Sequence, residues 1–452
     1  MNNKYFFTII LTLLTITAGF SQQAWSLDDC VSYALSHNLQ LKDFEYNKDS
    51  GKETYRQSFR NLLPTVDASS NYFVRYGRSI DPNNNAIVFT DFFSNNYSVD
   101  ANLDLFRGFQ KLNTIKASKL IYKATQEEVL QQKYLLAFRV MAAFYDIQFM
   151  EGLLEISKEQ VEVSQTNYNL VKRQVELGQR AGADLYEAES ALLADKLLVT
   201  QNENTLKTAR LTLMQEMNLK EESTIEINSL SGYDPDRKAQ EKIVDQDSIF
   251  TKAKEFIPIV KAQELRAKAA KKQLAAERGN LYPSLRLFAG YGTGFFETNT
   301  NDDGSVIPFN TQITDNASQF VGVALNIPIS NGWSARSRVK QQKVELMRAE
   351  NNYEVQKQEL FQLIQQLVQE GNALQTEFEQ SEQRVKSQEL SFKIGQKRYE
   401  KGLINAIELN QAKNLFATAQ NENLQVKLRL KVNKSTLDFY NGLPVFNIDN
   451  TK

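Results

Sequence analysis

The sequence predicts an α+β membrane protein built by internal tandem duplication. Long coiled-coil helices pair as hairpins, and four strands per chain contribute to a trimeric 12-stranded outer-membrane β-barrel. Three observations lead there: two blocks of sequence recur at nearly the same interval, apolar residues recur every seven positions over proline-free stretches, and four segments alternate apolar with polar residues.

The duplication is read first. "VELGQRAGADLYEA" (Val175 to Ala188) and "YEKGLINAIELNQA" (Tyr399 to Ala412) each describe a helix that stops at a glycine, turns, and restarts. Glu176/Glu400, Gly178/Gly402, Asp184/Glu408 and Leu185/Leu409 all lie 224 positions apart. "RNLLPTVDASSNY" (Arg60 to Tyr72) matches "GNLYPSLRLFAGY" (Gly279 to Tyr291), with Asn61/Asn280, Leu62/Leu281, Pro64/Pro283 and Tyr72/Tyr291 at 219. The chain therefore divides into a first repeat over 22–231 and a second over 232–442, with a tail at 443–452.

In chain order, residues 1–21 carry Lys4, an apolar run from Tyr5 to about Thr17, and small residues at Gly19 and Ser21. This reads as a secretory signal peptide cut after Ser21; the apolar run is too short for a membrane anchor. Each repeat then opens with a helix, expected over 27–62 and 246–281. Cys30, the only cysteine, follows Asp28 and Asp29 on the first of these and reads as a packed small residue.

Strands are expected over 64–77 and 97–106, and again over 283–296 and 318–330. Val66, Ala68, Tyr72 and Val74 alternate with Asp67, Ser69, Asn71 and Arg75, and Val321, Val323, Leu325 and Ile327 continue the pattern in the second repeat. Period two with one polar face is the signature of an outer-membrane strand. Polar loops, "GRSIDPNNNAIVFTDFFSNN" and "ETNTNDDGSVIPFNTQITDNAS", join each pair.

Long helical hairpins follow, over 108–218 and 334–441. Between Gly108 and Gly178 there is no proline and one glycine, Gly152, so one helix of roughly 105 Å fits at 1.5 Å per residue. The rows Val140, Ile147, Leu154, Val161, Tyr168, Val175 and Ile364, Gly371, Phe378, Val385, Phe392, Tyr399 step by seven, which underwinds helices into left-handed coiled coils. Ser157, Ser164, Asn423 and Asn433 interrupt the seam. Residues 219–245, rich in Glu, Ser and Asp, read as a crossover between the repeats.

Four strands leave open edges that lipid cannot satisfy, so closure requires several chains. Two would make a filled eight-stranded barrel and three a twelve-stranded barrel with a wider lumen; the long helices favour the wider solution. Formal net charge is −1, or −2 once Lys4 is removed, and nothing recruits nucleic acid. His37 is the only histidine, so neither a histidine triad nor a zinc site is supported. "GYGTG" at Gly290 to Gly294 lies inside a strand rather than opening a helix, so it is not a phosphate loop. No cofactor is expected.

Taken in order, these motifs resemble the TolC family of outer-membrane efflux proteins. "WSLDDCVSYALSHNLQLK" is similar to the family's N-terminal opening, "RNLLPTV" and "NLYPSLR" to its pre-strand motif, "LFRGFQ" and "IPISNGW" to its strand-to-helix exit, and "LGQRAGADLYEA" and "KGLINAIELNQA" to its helix-turn-helix tips. The resemblance implies a homotrimer in outer-membrane lipid, continued by a twelve-helix tunnel into the periplasm. Its partners would be a periplasmic adaptor and an inner-membrane transporter. It would be a passive exit duct of a tripartite efflux or type I secretion system, not an enzyme. The rival readings are an outer-membrane-anchored structural coiled coil without transport and a periplasmic hydrolase, which lacks a nucleophile-base constellation.

The resemblance also assigns the tips. Gly178, Gly182, Gly402 and Ala406 form the turns where adaptor hairpins dock, although Gly178 and Gly402 serve equally as helix C-caps. Asp184, Tyr399, Glu408 and Gln411 form the periplasmic gate. Asp184 and Glu408 also meet the dipole of the returning helices; in three copies they would make acidic rings that select ions by sign. Gln411 stands where some members carry a further acid, which implies weaker cation selectivity. Tyr399 is placed to bond Asp184 of the neighbouring hairpin, or simply to continue the apolar seam.

Overall fold

In the computed structural model, residues 24–81, 85–89, 91–219, 225–228, 245–446 and 448 are described. The expected signal segment 1–21, most of the 219–245 crossover and the end of the tail lie outside them. Contacts divide the chain into two units, Met1–Phe44 with Val129–Pro258 and Lys357–Lys452, and Glu45–Glu128 with Ile259–Gln356.

The first interval expected as one helix holds two, α1 (Leu27–His37) and α2 (Leu39–Arg60). Asn38 breaks it. Its backbone is extended, its Oδ1 accepts from Leu41 N at 3.0 Å, and its Nδ2 donates to the Glu216 carbonyl at 3.0 Å. One side chain thus starts the second helix and ties the break to a neighbour. The counterpart interval is likewise broken into α5 (Gln246–Phe256) and α6 (Pro258–Gly279). Ile257 is extended because Pro258 excludes its helical conformation.

In the first unit α1 packs against the long helices α3 (Gln110–Glu176) and α4 (Gly182–Met217). Cys30, Leu136, Val140, Ile147 and Leu213 form the centre of this core. A Ser26–Asp29 capping box starts α1, and burial pushes the Cys30 thiol up to about 12. The second hairpin, α8 (Ser334–Glu400) and α9 (Ala406–Tyr440), contributes Leu428 to the same core.

Glycine and asparagine positions within the coiled coil have a packing reason. A Cβ on Gly152 would meet Leu424 Cδ2 at 2.4 Å, and one on Gly371 would meet Asn433 Oδ1 at 2.7 Å. Asn433 Nδ2 donates to the Leu367 carbonyl, and Asn423 Nδ2 to Ser381 Oγ. The two asparagine breaks in the seam are therefore cross-helix hydrogen bonds, whereas Ser157 Oγ donates to the Leu154 carbonyl of its own helix.

The second unit is built on an antiparallel sheet in the order β1 (Thr65–Arg75), β4 (Phe92–Arg107), β5 (Ser284–Phe296), β6 (Ser318–Asn326). Register aligns the apolar residues on one face: Val66, Ala101, Ala289 and Val321 form one row, and Leu103, Leu287 and Val323 another. The opposite face carries Ser69, Ser98, Gly292 and Ser318. β4 begins at Phe92, five residues before the expected Tyr97, because Phe92–Asn96 pair with Asn71–Arg75. β6 ends at Asn326, short of 330, where Pro328 lacks a ladder donor.

The outer loops hold elements that the alternation does not reveal. The first contains a short hairpin, β2 (Ser79–Ile80) with β3 (Ile87–Val88); the second contains α7 (Phe309–Asp315). Ahead of Ser318, where β6 begins, side chains take over pairing with β5. The Phe296 N–H donates to Gln312 Oε1 and Gln312 Nε2 donates back to the Phe296 carbonyl, while Asn316 Nδ2 donates to the Gly294 carbonyl.

Candidate functional site

The two repeated turns lie together in the first unit. Each is a glycine C-cap of the same construction. Gly178 and Gly402 have φ of +70° and +72°, the left-handed region. Gly178 N donates to Val175 O and Gln179 N to Gln174 O; Gly402 N donates to Tyr399 O and Leu403 N to Arg398 O. Paired bonds of this kind satisfy the last carbonyls of the helix, and a side chain at either glycine would be strained although space is open.

The restarts differ. Asn405 caps α9, its Oδ1 accepting from Glu408 N at 2.9 Å, whereas Ala181 has no side-chain cap. Ala406 is buried while its counterpart Gly182 is exposed. Asp184 and Glu408 occupy the first turns of α4 and α9; Asp184 is half-buried, and Glu408 and Gln411 are exposed.

Val171, Ala188, Phe392, Tyr399, Ala406 and Leu409 form a buried cluster joining the hairpins. Within one chain the hydroxyl of Tyr399 takes a different partner from the expected Asp184: Arg180 Nη1 donates to it at 2.9 Å. The same guanidinium lies 4.5 Å from the ring centroid. Sequence spacing places Tyr399 in the apolar seam and Arg180 in the turn of the other repeat, so the pair needs the fold to become visible. Burial raises the Tyr399 pKa; Arg180 opposes the rise and Asp184 adds to it.

A second polar junction was not read from the sequence. Lys413, whose side chain is 4 % exposed, reaches Asp195 at 2.5 Å and donates to Ser164 Oγ at 2.8 Å. Ser164 in turn bonds Asp195. Lys413 lies between Leu409 and Phe416 on the core-facing side of α9, so a lysine at helical core spacing was the available signal. The triad connects α3 and α4 of one hairpin to α9 of the other, with no polar member left bare.

Residues 30–219 and 251–443 match the family described as outer membrane efflux protein. The chain is 21% identical over 425 residues to the toluene efflux pump outer membrane protein TtgC of Pseudomonas putida, covering 88% of this chain and 81% of the relative. It is also 24% identical over 202 residues to toxin and drug export protein A of Aggregatibacter actinomycetemcomitans, covering 44% of this chain and 42% of the relative. Among solved structures, the open-state outer membrane channel MtrE of Neisseria gonorrhoeae superposes with TM-score 0.75 at 19% identity, covering 94% of this chain and 91% of the channel. The outer membrane protein VceC of Vibrio cholerae gives 0.74 at 14% identity, covering 92% and 96%.

Proposed function

The chain belongs to the outer membrane efflux protein family, and from that premise we propose that it is the passive exit duct of a tripartite efflux or type I secretion system. Its place is the outer membrane, with a helical tunnel in the periplasm. The observation that carries the reading is the sheet: one face apolar, the other polar, and both outer edges, β1 and β6, unpaired among the described residues. Such edges cannot stand in lipid, so copies of the chain close the barrel. Three copies give twelve strands and an open bore.

Apolar residues left on the helices fit the same assembly. Tyr186, Leu193 and Leu197 on α4, and Leu390 and Ile394 on α8, are exposed in a single chain. They supply contact surface for neighbouring copies. An inner-membrane transporter drives cargo into the passive duct through a periplasmic adaptor, a partnership to which the pump names of its relatives point.

The six turns of a trimer ring the periplasmic entrance. Gly178, Gly182, Gly402 and Ala406 shape the surface that receives the adaptor. Asp184, Tyr399, Glu408 and Gln411 form the gate, joined by Arg180. Purified protein in planar bilayers tests the reading: discrete ion conductance from particles of about three times the 51.7 kDa chain mass is expected. A trimer that inserts and passes no current would instead be a solid structural anchor.

A further inference from the structure

We propose that the open edges of the sheet pair with a second copy of this chain in one register: Val323 opposite the partner's Tyr72, Ala324 opposite the partner's Asn71, and Gly322 opposite the partner's Phe73. The proposal rests on the multichain closure argued above and goes beyond it by fixing which residues meet. It comes from the duplication. β4 and β6 are counterparts, as are β1 and β5, so the β4–β5 pair inside the chain is a first-repeat strand against a second-repeat strand. The contact of β6 with the partner's β1 is the same junction with the repeats exchanged.

Two structural anchors set the correspondence. The exits of β4 and β6 share an unusual pair of left-handed residues, Gly108 and Phe109 with φ of +55° and +59°, and Gly332 and Trp333 with +62° and +64°. They lie 224 positions apart. Ahead of β1, Leu62 N donates to Phe59 O and Leu63 N to Arg60 O; ahead of β5, Leu281 N donates to Arg278 O and Tyr282 N to Gly279 O. These bonds lie 219 apart. Within the chain Val99 faces Tyr291, Asp100 faces Gly290 and Ser98 faces Gly292. Adding 224 to each first residue and subtracting 219 from each second yields the proposed pairs.

Side-chain chemistry selects the same register. On the polar face, phenyl rings lie over glycines: a Cβ on Gly290 would meet Phe320 Cζ at 2.4 Å, and one on Gly322 would meet Phe288 Cζ at 2.5 Å. Phe73 stands on that face, exposed in the single chain. The proposed register sets it opposite Gly322, which carries no side chain of its own, beside the Phe288 ring that lies over that glycine. A slip of two residues sets it opposite Phe320 or Ala324, and a slip of one turns the apolar face of β6 to the polar side. On the other face Val323 meets the partner's Tyr72 and Val321 the partner's Val74, apolar pairs that stabilise a ladder.

Cysteine pairs read the register directly, since a disulfide needs Cα atoms about 4.4–6.8 Å apart and a diagonal pair lies beyond about 7 Å. Ala324→Cys combined with Asn71→Cys, oxidised with diamide in the full-length inserted protein, should give a reducible ladder up to three chains on denaturing gels. Ala324→Cys with Ser69→Cys or with Phe73→Cys should give little. A ladder from either of those instead would overturn the register while leaving the trimer standing. Monomer from every combination, in protein that inserts, would overturn both the seam and the multichain closure. Val323→Cys with Tyr72→Cys, on the apolar face, gives an independent reading if the first variant inserts poorly.

Discussion

Replacing Lys413 with methionine keeps the length of the side chain and removes its charge. Asp195 is then left with Ser164 as its hydrogen-bonding partner in a site where its side chain is 14 % exposed. Breaking one half of a buried ion pair typically costs about 3–5 kcal/mol. For a chain of this size, unfolding entropy of about 2.1 cal/mol/K per residue makes 1 kcal/mol worth roughly 1 °C, so the apparent melting temperature in detergent should fall by about 3–5 °C. Lys413→Met with Asp195→Leu removes both charges and should recover most of the loss, because the uncompensated carboxylate, rather than the missing attraction, carries the penalty. Ser164→Ala should cost only about 1 kcal/mol. Scans at one fixed rate give the comparison despite irreversible unfolding. Wild-type melting in Lys413→Met, or a double variant at least as impaired as the single one, would refute the claim that this triad joins the hairpins.

The gate allows sharper tests of function. Tyr399→Phe keeps the ring under Arg180 and loses the bond between the buried hydroxyl and a half-buried charged donor, worth about 1.5 kcal/mol, so opening in the absence of adaptor should rise roughly tenfold in single-channel recordings. Arg180→Met removes the same bond, and the double variant should open little more than Arg180→Met alone; fully additive opening energies would show that the two residues act separately. Glu408→Gln should lower cation preference, measured as reversal potential in a salt gradient, while changing stability by less than about 1 kcal/mol. Unchanged selectivity would remove Glu408 from the pore. Val323→Arg, nearer the middle of β6 on the apolar face, should impair insertion by up to about 2–4 kcal/mol, and Ala324→Arg on the polar face much less, as read by the fraction of protein reaching the membrane. Equal effects at the two positions would reverse the face assignment.

Periodicity made the large elements legible. Heptad rows mark the long helices because burial repeats with every second turn, and period two marks the strands because a pleated sheet turns alternate residues to opposite faces. What escaped periodicity were single residues acting through side-chain bonds. Asn38 breaks a helix by capping the next one, yet its neighbours Leu35 and Leu41 keep helical spacing on both sides. Pro258 breaks the interval expected as one helix over 246–281, because it restricts the residue before it. Phe92–Asn96 pair as strand although adjacent phenylalanines and asparagines hide the alternation. At the tips the glycines and acids were recognisable from the repeat, but the Arg180–Tyr399 bond joins residues 219 positions apart, and no local pattern encodes such a meeting.

The pairing of Gln312 with the backbone of Phe296 has a consequence for how freely the outer surface can change. A strand that outruns its neighbour ordinarily constrains every residue facing the gap, because its donors and acceptors invite the wrong chain. Here two amide side chains discharge that duty, and the rest of the loop is released from it. Residues Asn301 to Ser305, held by a turn of their own, can then drift in sequence or accept an inserted epitope while the sheet beneath stays paired. Variation in that turn is thereby uncoupled from the pairing of the sheet, so long as two side chains, Gln312 and Asn316, are kept.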